Sequence, residues 1–414
     1  MNNKKSILFL SANDFKEKSI QVIRKTPEAY VKDGWDVTYI VARDKSKSGN
    51  YFYEKEINPD GVNVIRFYSL FSKLKDKILN QTLRTIVSKV SGYITILLLT
   101  IKAFRILRKK DIDVIYGYEM HGVLSSRLVR LFSIKNYIYV NRFMGTWLTQ
   151  YYDKKQYQKL IFNFDQILAL KSKSDLCIMT DDGTLGDRAL EIFNSKSLSN
   201  YRFWSNGVDE QKIPQSDIDK FKEELYLKDE KIFVSVSRLE SWKRVDRAIE
   251  IISKVKDKNI KYFIIGDGYL KEDLEKRVKE LKIEDKIIFV GAIDNKDVKK
   301  YLSIADYFLS LYDLSNVGNP LLEAIRANKI IFTLHNGDTS RWIQHKKNGF
   351  IYEINNDLYK SMASDIDKVI ADNELATKII QNIKKTEIEK LWTWEERMSF
   401  EVQEVEKLLK DNIK

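Results

Sequence analysis

Between Lys231 and Thr333 the chain repeats one alternation: a short apolar run, a polar loop, then a helical pattern. The runs Lys231–Val236, Tyr262–Ile265, Ile287–Val290 and Ala305–Leu311 carry few polar residues, which marks strands covered on both faces. Helical patterns at Arg244–Val255, Leu270–Leu281 and Asp297–Ser303 separate them, and a further strand follows at Ile330–Thr333 before a final helical region. Strands alternating with helices specify a parallel sheet with right-handed crossovers, so the expected fold class is α/β, Rossmann-like and doubly wound. Ligands of such sheets bind beyond the carboxyl ends of the strands.

The loops at those ends carry the chemistry. Asp313-Leu-Ser315-Asn-Val-Gly318-Asn319-Pro320-Leu321-Leu322-Glu323 runs from a buried strand into a helix, with Pro320 where a helix begins and needs no N–H donor. Backbone N–H groups and the helix dipole favour an anion there. Glu323, one turn in, can accept hydrogen bonds from hydroxyls beside that anion. After the first strand, Arg238 and Lys243 place cations suited to a diphosphate. Gly266-Asp267-Gly268 permits a tight turn after the second. A sugar nucleotide presents both an anion and hydroxyls.

The first half opens as a βαβ unit: Ser6–Ser11 as a strand, Ser19–Lys32 as a helix, the turn Asp33-Gly34, and Asp36–Val41 as a strand. Its loop Ala12–Lys16 holds no glycine and cannot bring backbone close to a pyrophosphate, so this half is not expected to hold the nucleotide. Further strands are expected at Asp113–Tyr116, Tyr137–Val140, Cys177–Thr180 and Tyr201–Trp204. Two polar loops, Glu119-Met-His121-Gly122 and Asn141 to Gly145-Thr146, would share one sheet edge.

From Phe71 to Lys110 the pattern is helical, amphipathic and basic. Its apolar core, Ile94–Ile101, is too short to span a bilayer and is ended by Lys102. Such a helix can lie in a membrane interface, or pack on its own domain with a solvated basic face. Both readings stay open.

At 414 residues two domains are expected. Polar, poorly periodic sequence after residue 210 separates 1–209 from 210–391, and 392–414 is set apart as a closing segment. The single cysteine, Cys177, excludes an internal disulfide and fits a reducing compartment. The amino terminus enters the first strand without an apolar signal region, so the expected location is the cytoplasm, peripheral on the inner face of the cell membrane if the basic helix binds lipid. A net charge of +12 favours a polyanionic partner, and without a basic-aromatic or zinc module that partner is not expected to be nucleic acid. Asp111 with Asp113, and Asp217 with Asp219, spell D-x-D, a spacing that 59 acidic residues produce by chance. No metal site is assigned.

The order Val236-Ser-Arg238-Leu, Lys243, Gly266-Asp-Gly268, Asn319-Pro-Leu-Leu-Glu323-Ala324 and Asn348-Gly349-Phe350 resembles family 4 of the retaining glycosyltransferases, of the two-domain GT-B type. Asn206-Gly-Val-Asp209 and Leu391-Trp392-Thr-Trp394-Glu395 match the segments that join that family's two domains. The resemblance implies two Rossmann-like domains facing a central cleft, with the donor in the second and the acceptor against the first. It implies that Arg238 and Lys243 hold the donor diphosphate, that Glu323 binds ribose hydroxyls, and that amides near Asn319 to Leu322 help with phosphate. The implied reaction moves a sugar from a nucleotide sugar to a glycan or lipid-linked acceptor with retained configuration, without metal or cofactor. Two departures stand out. Ser315 occupies the place of the family's first glutamate, with Asp313 as a candidate replacement, and Met144-Gly145 replaces a His-Gly pair, with His121 as a candidate substitute. The alternative is a non-catalytic glycosyltransferase-like subunit that binds a nucleotide sugar or a partner enzyme.

Overall fold

The computed structural model describes residues 4–15, 21–46, 56–194, 200–210 and 213–412. The chain divides into two compact units: Met1–Asp181 with Leu185–Asn206 and Trp394–Lys414, and Gly207–Thr393 with the short segment Asp182–Thr184. The sequence reading set its boundaries at 209/210 and 391/392.

The first unit is built on seven parallel strands: β1 (Ser6–Ser11), β2 (Asp36–Arg43), β3 (Asn63–Tyr68), β4 (Val114–Tyr118), β5 (Ile138–Phe143), β6 (Leu176–Thr180) and β7 (Tyr201–Trp204). Their order is β3-β2-β1-β4-β5-β6-β7. The order runs outward in both directions from β1, the doubly wound pattern. The second unit has six: β8 (Lys231–Val236), β9 (Ile260–Ile265), β10 (Ile287–Gly291), β11 (Tyr307–Ser310), β12 (Ile330–Leu334) and β13 (Phe350–Tyr352). They run β10-β9-β8-β11-β12-β13, again all parallel. Apolar side chains on both faces of each sheet are buried under helices, which is why these strands read as unbroken apolar runs.

Three expectations need correction. Glu119–Gly122 is not a loop but the first turn of the helix Glu119–Phe132, which β4 enters directly with Glu119 at φ +59°. Strand β5 continues through Asn141, Arg142 and Phe143, so the loop after it begins at Met144. The basic region resolves into a short turn, Ser72–Lys75, and the helix Gln81–Leu107. At 27 residues, with a mean hydropathy of 1.6 over an 18-residue stretch, that helix is long and apolar enough to cross a bilayer, contrary to the estimate from Ile94–Ile101 alone. Yet one face is packed: Leu99 and Ala103 bury against Leu8, Leu10, Ile40 and Val129, and Thr100 Oγ1 lies 3.0 Å from Ser125 Oγ.

The closing helix Trp394–Asn412 belongs to the first unit, where Trp394, Met398, Val402 and Val405 join the core of β1, β2, β4 and β5. Cys177 lies buried on β6, where burial pushes its thiol up to about 12, consistent with a packing role.

Candidate functional site

In the second unit the cationic loop leaves the carboxyl end of β8 and is held by its neighbours. Ser237 N–H donates to Ile265 O (3.0 Å), and Leu239 N–H donates to Asp267 O (2.9 Å). This contact explains the glycines of Gly266-Asp267-Gly268: a Cβ at Gly266 would lie 1.8 Å from Ser237 O, and one at Gly268 2.4 Å from Leu239 O. Their demonstrated role is to let the Arg238 loop pass. Asp267 closes its own turn by accepting the Gly268 N–H at 2.8 Å.

Glu240 clasps the loop. One carboxylate oxygen accepts from Arg238 Nη1 (2.6 Å) and the other from Trp242 Nε1 (2.7 Å). The Ser241–Lys243 turn then carries the Lys243 ammonium between two rings, 4.0 Å from the Trp242 centroid and 3.8 Å from that of Tyr312. Burial and the neighbouring Arg238 guanidinium push that ammonium down to about 7, against the opposing pull of Glu240 and Asp182. Tyr312 is fixed by its hydroxyl on Val236 O (2.9 Å), and Asp313 N–H donates to Trp242 O (2.9 Å). The loops after the adjacent strands β8 and β11 are therefore one construction.

Asn316, which the sequence reading passed over, organises the second of these loops. Fully buried, it accepts from Ser310 Oγ and Tyr312 N–H, each at 3.0 Å, and donates to Tyr312 O and Asn336 Oδ1. Asp313, the candidate replacement for the family's first glutamate, pairs with two arginines. Its carboxylate meets Arg247 at 2.8 Å and Arg244 at 3.6 Å. Ser315, at φ +59°, turns its hydroxyl to Asp182.

The helix Asn319–Arg326 begins after Gly318, with Pro320 in its first turn. It offers phosphate fewer amides than expected. Pro320 has none, and the Leu321 and Leu322 N–H groups donate to Gly318 O at 3.0 and 3.2 Å. The Leu321 and Leu322 side chains are core residues. Glu323 is buried and accepts from Asn295 Nδ2 at 3.0 Å. Burial pushes its carboxyl up to about 7, with Asn295 and Lys299 opposing. Asn295 starts the helix after β10, so Arg238, Lys243, Asn295 and Glu323 all follow carboxyl ends of strands in the same sheet.

Glu323 gives a pH prediction. Its folded-state value lies above the ordinary 4.5, so the neutral form carries stability that is complete below 4.5 and lost as pH rises through about 7. The difference corresponds to about 3 kcal/mol. Glu323→Gln should unfold with wild type at pH 5 and be more stable at pH 9, as thermal melts at the two pH values will show; coincident curves at pH 9 would contradict it.

In the first unit, Glu119 accepts the Met144 N–H at 2.5 Å, joining the ends of β4 and β5, and Gly145 follows at φ +141°. Thr146 Oγ1 accepts the Leu148 N–H. These three line the carboxyl edge. His121 does not join them: its ring packs toward Gly92 of the Gln81–Leu107 helix, and burial pushes it down to about 4. Asp113 accepts the Ser6 N–H and Asp111 pairs with Lys135, so the D-x-D residues serve the framework. Among the described residues, no group of three or more His, Cys, Asp or Glu is arranged to hold a metal ion.

Residues 217–386 match the family model described as glycosyl transferases group 1. A Campylobacter jejuni relative, N-acetylgalactosamine-N,N'-diacetylbacillosaminyl-diphospho-undecaprenol 4-alpha-N-acetylgalactosaminyltransferase, is 26% identical over 289 residues, covering 70% of this chain and 75% of that protein. Sucrose-phosphate synthase from Thermosynechococcus elongatus superposes with a TM-score of 0.73 at 16% identity, over 99% of this chain and 100% of that one. Anabaena HepE in complex with UDP and glucose gives 0.71 at 15% identity, over 97% and 99%. The architecture is that of the GT-B glycosyltransferases, and the matched family segment lies within the second unit.

Proposed function

We propose that this chain, with its GT-B architecture, is a glycosyltransferase that moves a sugar from a nucleotide-diphosphate donor to a lipid-linked or glycan acceptor, with retained anomeric configuration, in the synthesis of a surface glycan or glycolipid. The observation that carries the reading is the Lys243 ammonium, held between Trp242 and Tyr312 beside Arg238 at the carboxyl end of β8. As the sugar–phosphate bond breaks, negative charge grows on the departing diphosphate. Preorganised cations stabilise that charge without reorganising. Arg238 and Lys243 supply this in place of a metal, while Glu323 and Asn295 meet the ribose. The acceptor is assigned to the first unit, near Glu119, Gly145 and Thr146. The lipid-linked class follows the Campylobacter relative, whose name specifies a diphospho-undecaprenol substrate. Retention rests on the motif resemblance, and an NMR assignment of the product anomer tests it. A thermal-shift screen of nucleotide sugars tests the donor: one sugar diphosphate should raise the melting temperature with concentration. No response to any nucleotide or nucleotide sugar would overturn the reading.

The same reading places the enzyme in the cytoplasm, peripheral on an anionic membrane. Opposite its packed face, the Gln81–Leu107 helix exposes Leu83, Ile86, Val90, Tyr93, Leu97 and Ile101, spaced three or four residues apart in one stripe. From Ile78 to Lys110 there are seven cations and no acidic residue. Like charge disfavours a second copy of this surface as the partner, whereas anionic lipid satisfies both stripe and charge. Wild type should sediment with phosphatidylglycerol vesicles, and Leu97→Asp with Ile101→Asp should bind about tenfold less or weaker still, since each buried apolar side chain contributes ~1.5–3 kcal/mol. Equal sedimentation of both proteins would remove the membrane assignment.

A further inference from the structure

Two short helices of the first unit, Tyr157–Phe162 and Phe164–Leu170, meet at Asn163. Their inner residues belong to the core: Leu160, Ala169 and Leu170 pack in one cluster with Ile96 of the Gln81–Leu107 helix. The outer residues do not. Tyr157 is 60% exposed, Ile161 75%, Phe162 50% and Phe164 60%, four large apolar side chains within eight residues. Single exposed apolar residues are ordinary on a protein surface, whereas a cluster of them marks a surface that meets something.

This corner adjoins the apolar stripe of the long helix. Lys89 sets its ammonium on the buried Asp165 carboxylate at 2.7 Å and 4.8 Å from the Phe162 ring centroid. In the helix Lys89 is the neighbour of Val90, an exposed member of the stripe. The charge around the corner has one dominant sign. Lys154, Lys155 and Lys159 are exposed in the same stretch, while Asp153 pairs with Arg188 at 2.7 Å and Asp165 with Lys89.

We infer that the Tyr157–Phe164 corner is a second membrane-inserting element, entering the headgroup layer of an anionic bilayer beside the Gln81–Leu107 helix. The assignment rests on the peripheral-membrane reading and deepens it. Binding at such an interface grows with the apolar area buried and with the attraction of cations to anionic lipid, and the corner supplies both. Tyr157 suits the headgroup level, where an aromatic ring with a polar tip is favoured. A stripe along one helix leaves the unit free to roll about that helix axis. A second contact beside the axis removes this freedom and fixes which side of the unit faces the lipid. Leu148, two residues after Thr146, lies in the same core cluster as Leu160, so the corner is packed to the carboxyl edge that carries Gly145 and Thr146.

Nitrobenzoxadiazole attached to Ile161→Cys, Leu97→Cys or Ile388→Cys reports each position separately, because the native Cys177 is buried. With phosphatidylglycerol vesicles the Leu97 and Ile161 labels should both brighten, shift to the blue and be quenched by nitroxide lipids. The Ile388 label, exposed on the helix Asn373–Lys390 of the second unit, should stay unchanged. Ile161→Ser with Phe164→Ser, which spares Phe162 and its contact with Lys89, should lower vesicle affinity about tenfold at an unchanged melting temperature, since two apolar side chains no longer leave water. A silent Ile161 label beside a responding Leu97 label would overturn the second element and leave the membrane reading standing, whereas silence at both would remove the two together. A blue shift that grows with protein concentration in the absence of vesicles would give the corner to a second copy of the chain and overturn the inference as well.

Discussion

Replacing Lys243 by alanine is expected to lower kcat/KM for the donor roughly 10- to 150-fold, since a hydrogen bond to a charged group contributes about 1.5–3 kcal/mol. The ammonium is set against aromatic rings. It is held by the faces of Trp242 and Tyr312, an arrangement that orients a cation without neutralising it. Arg238 differs, because Glu240 takes one edge of its guanidinium and offsets part of its charge. Lys243→Ala should therefore cost more than Arg238→Ala. Lys243→Arg should recover only part of the loss, because a planar guanidinium does not fit a space shaped for a compact ammonium. Steady-state kinetics and donor calorimetry would measure these effects. Unchanged donor affinity in Lys243→Ala would sink the assignment of the diphosphate site.

The second unit was legible because four of its six strands, β8, β9, β11 and β12, are buried on both faces and stand out as apolar runs. Lys231–Val236 emerges with both boundaries intact. Two strands escaped notice for physical reasons. β3 lies at a sheet edge, is only partly buried and carries Arg66, which reaches back to Asp14; β13 has three residues. Glu119 to Gly122 read as a loop because a helix entered straight from a strand needs no capping signal, and here it takes a left-handed φ instead. Charge type and spacing singled out Arg238, Lys243 and Glu323, and the structure places all three beyond carboxyl ends of strands in the same sheet. The residues that arrange them could not be found in this way. Tyr312, Asn316 and Asn295 act through contacts across loops, and no local periodicity records those contacts. The same limit explains Leu321 and Leu322: a motif places them beside a ligand, while their side chains fill the core and their amides close the first helical turn.

Loss of the Glu401 charge should give the largest stability effect. Arg142 on β5, Arg397 and Glu401 on the closing helix are all fully buried. Arg142 Nη1 meets Glu401 Oε2 at 2.5 Å and Arg397 Nη1 meets it at 2.9 Å, while Tyr116 OH donates to Oε1 at 2.6 Å. Burial alone would raise the Glu401 carboxyl; the two guanidiniums reverse that and hold it below the usual range. Glu401→Gln keeps the shape but removes the carboxylate charge that the two buried guanidiniums share, and breaking such a group typically costs about 3–5 kcal/mol. The urea midpoint should drop accordingly. Replacing all three by apolar residues (Arg142→Met, Arg397→Met, Glu401→Leu) should cost less than the single change, because the charges that must be desolvated are gone. A single variant that melts with wild type, or a triple that is worse than the single, would show that the cluster is not the clamp. The consequence reaches the site through the strands: Tyr116 lies three residues before Glu119, and Arg142 two before Met144. The Glu119–Met144 contact, at the edge where the acceptor is proposed to bind, is thus set by strands that the closing helix holds from below the carboxyl ends, and on that proposal Glu401→Gln should loosen acceptor binding at urea concentrations well short of unfolding.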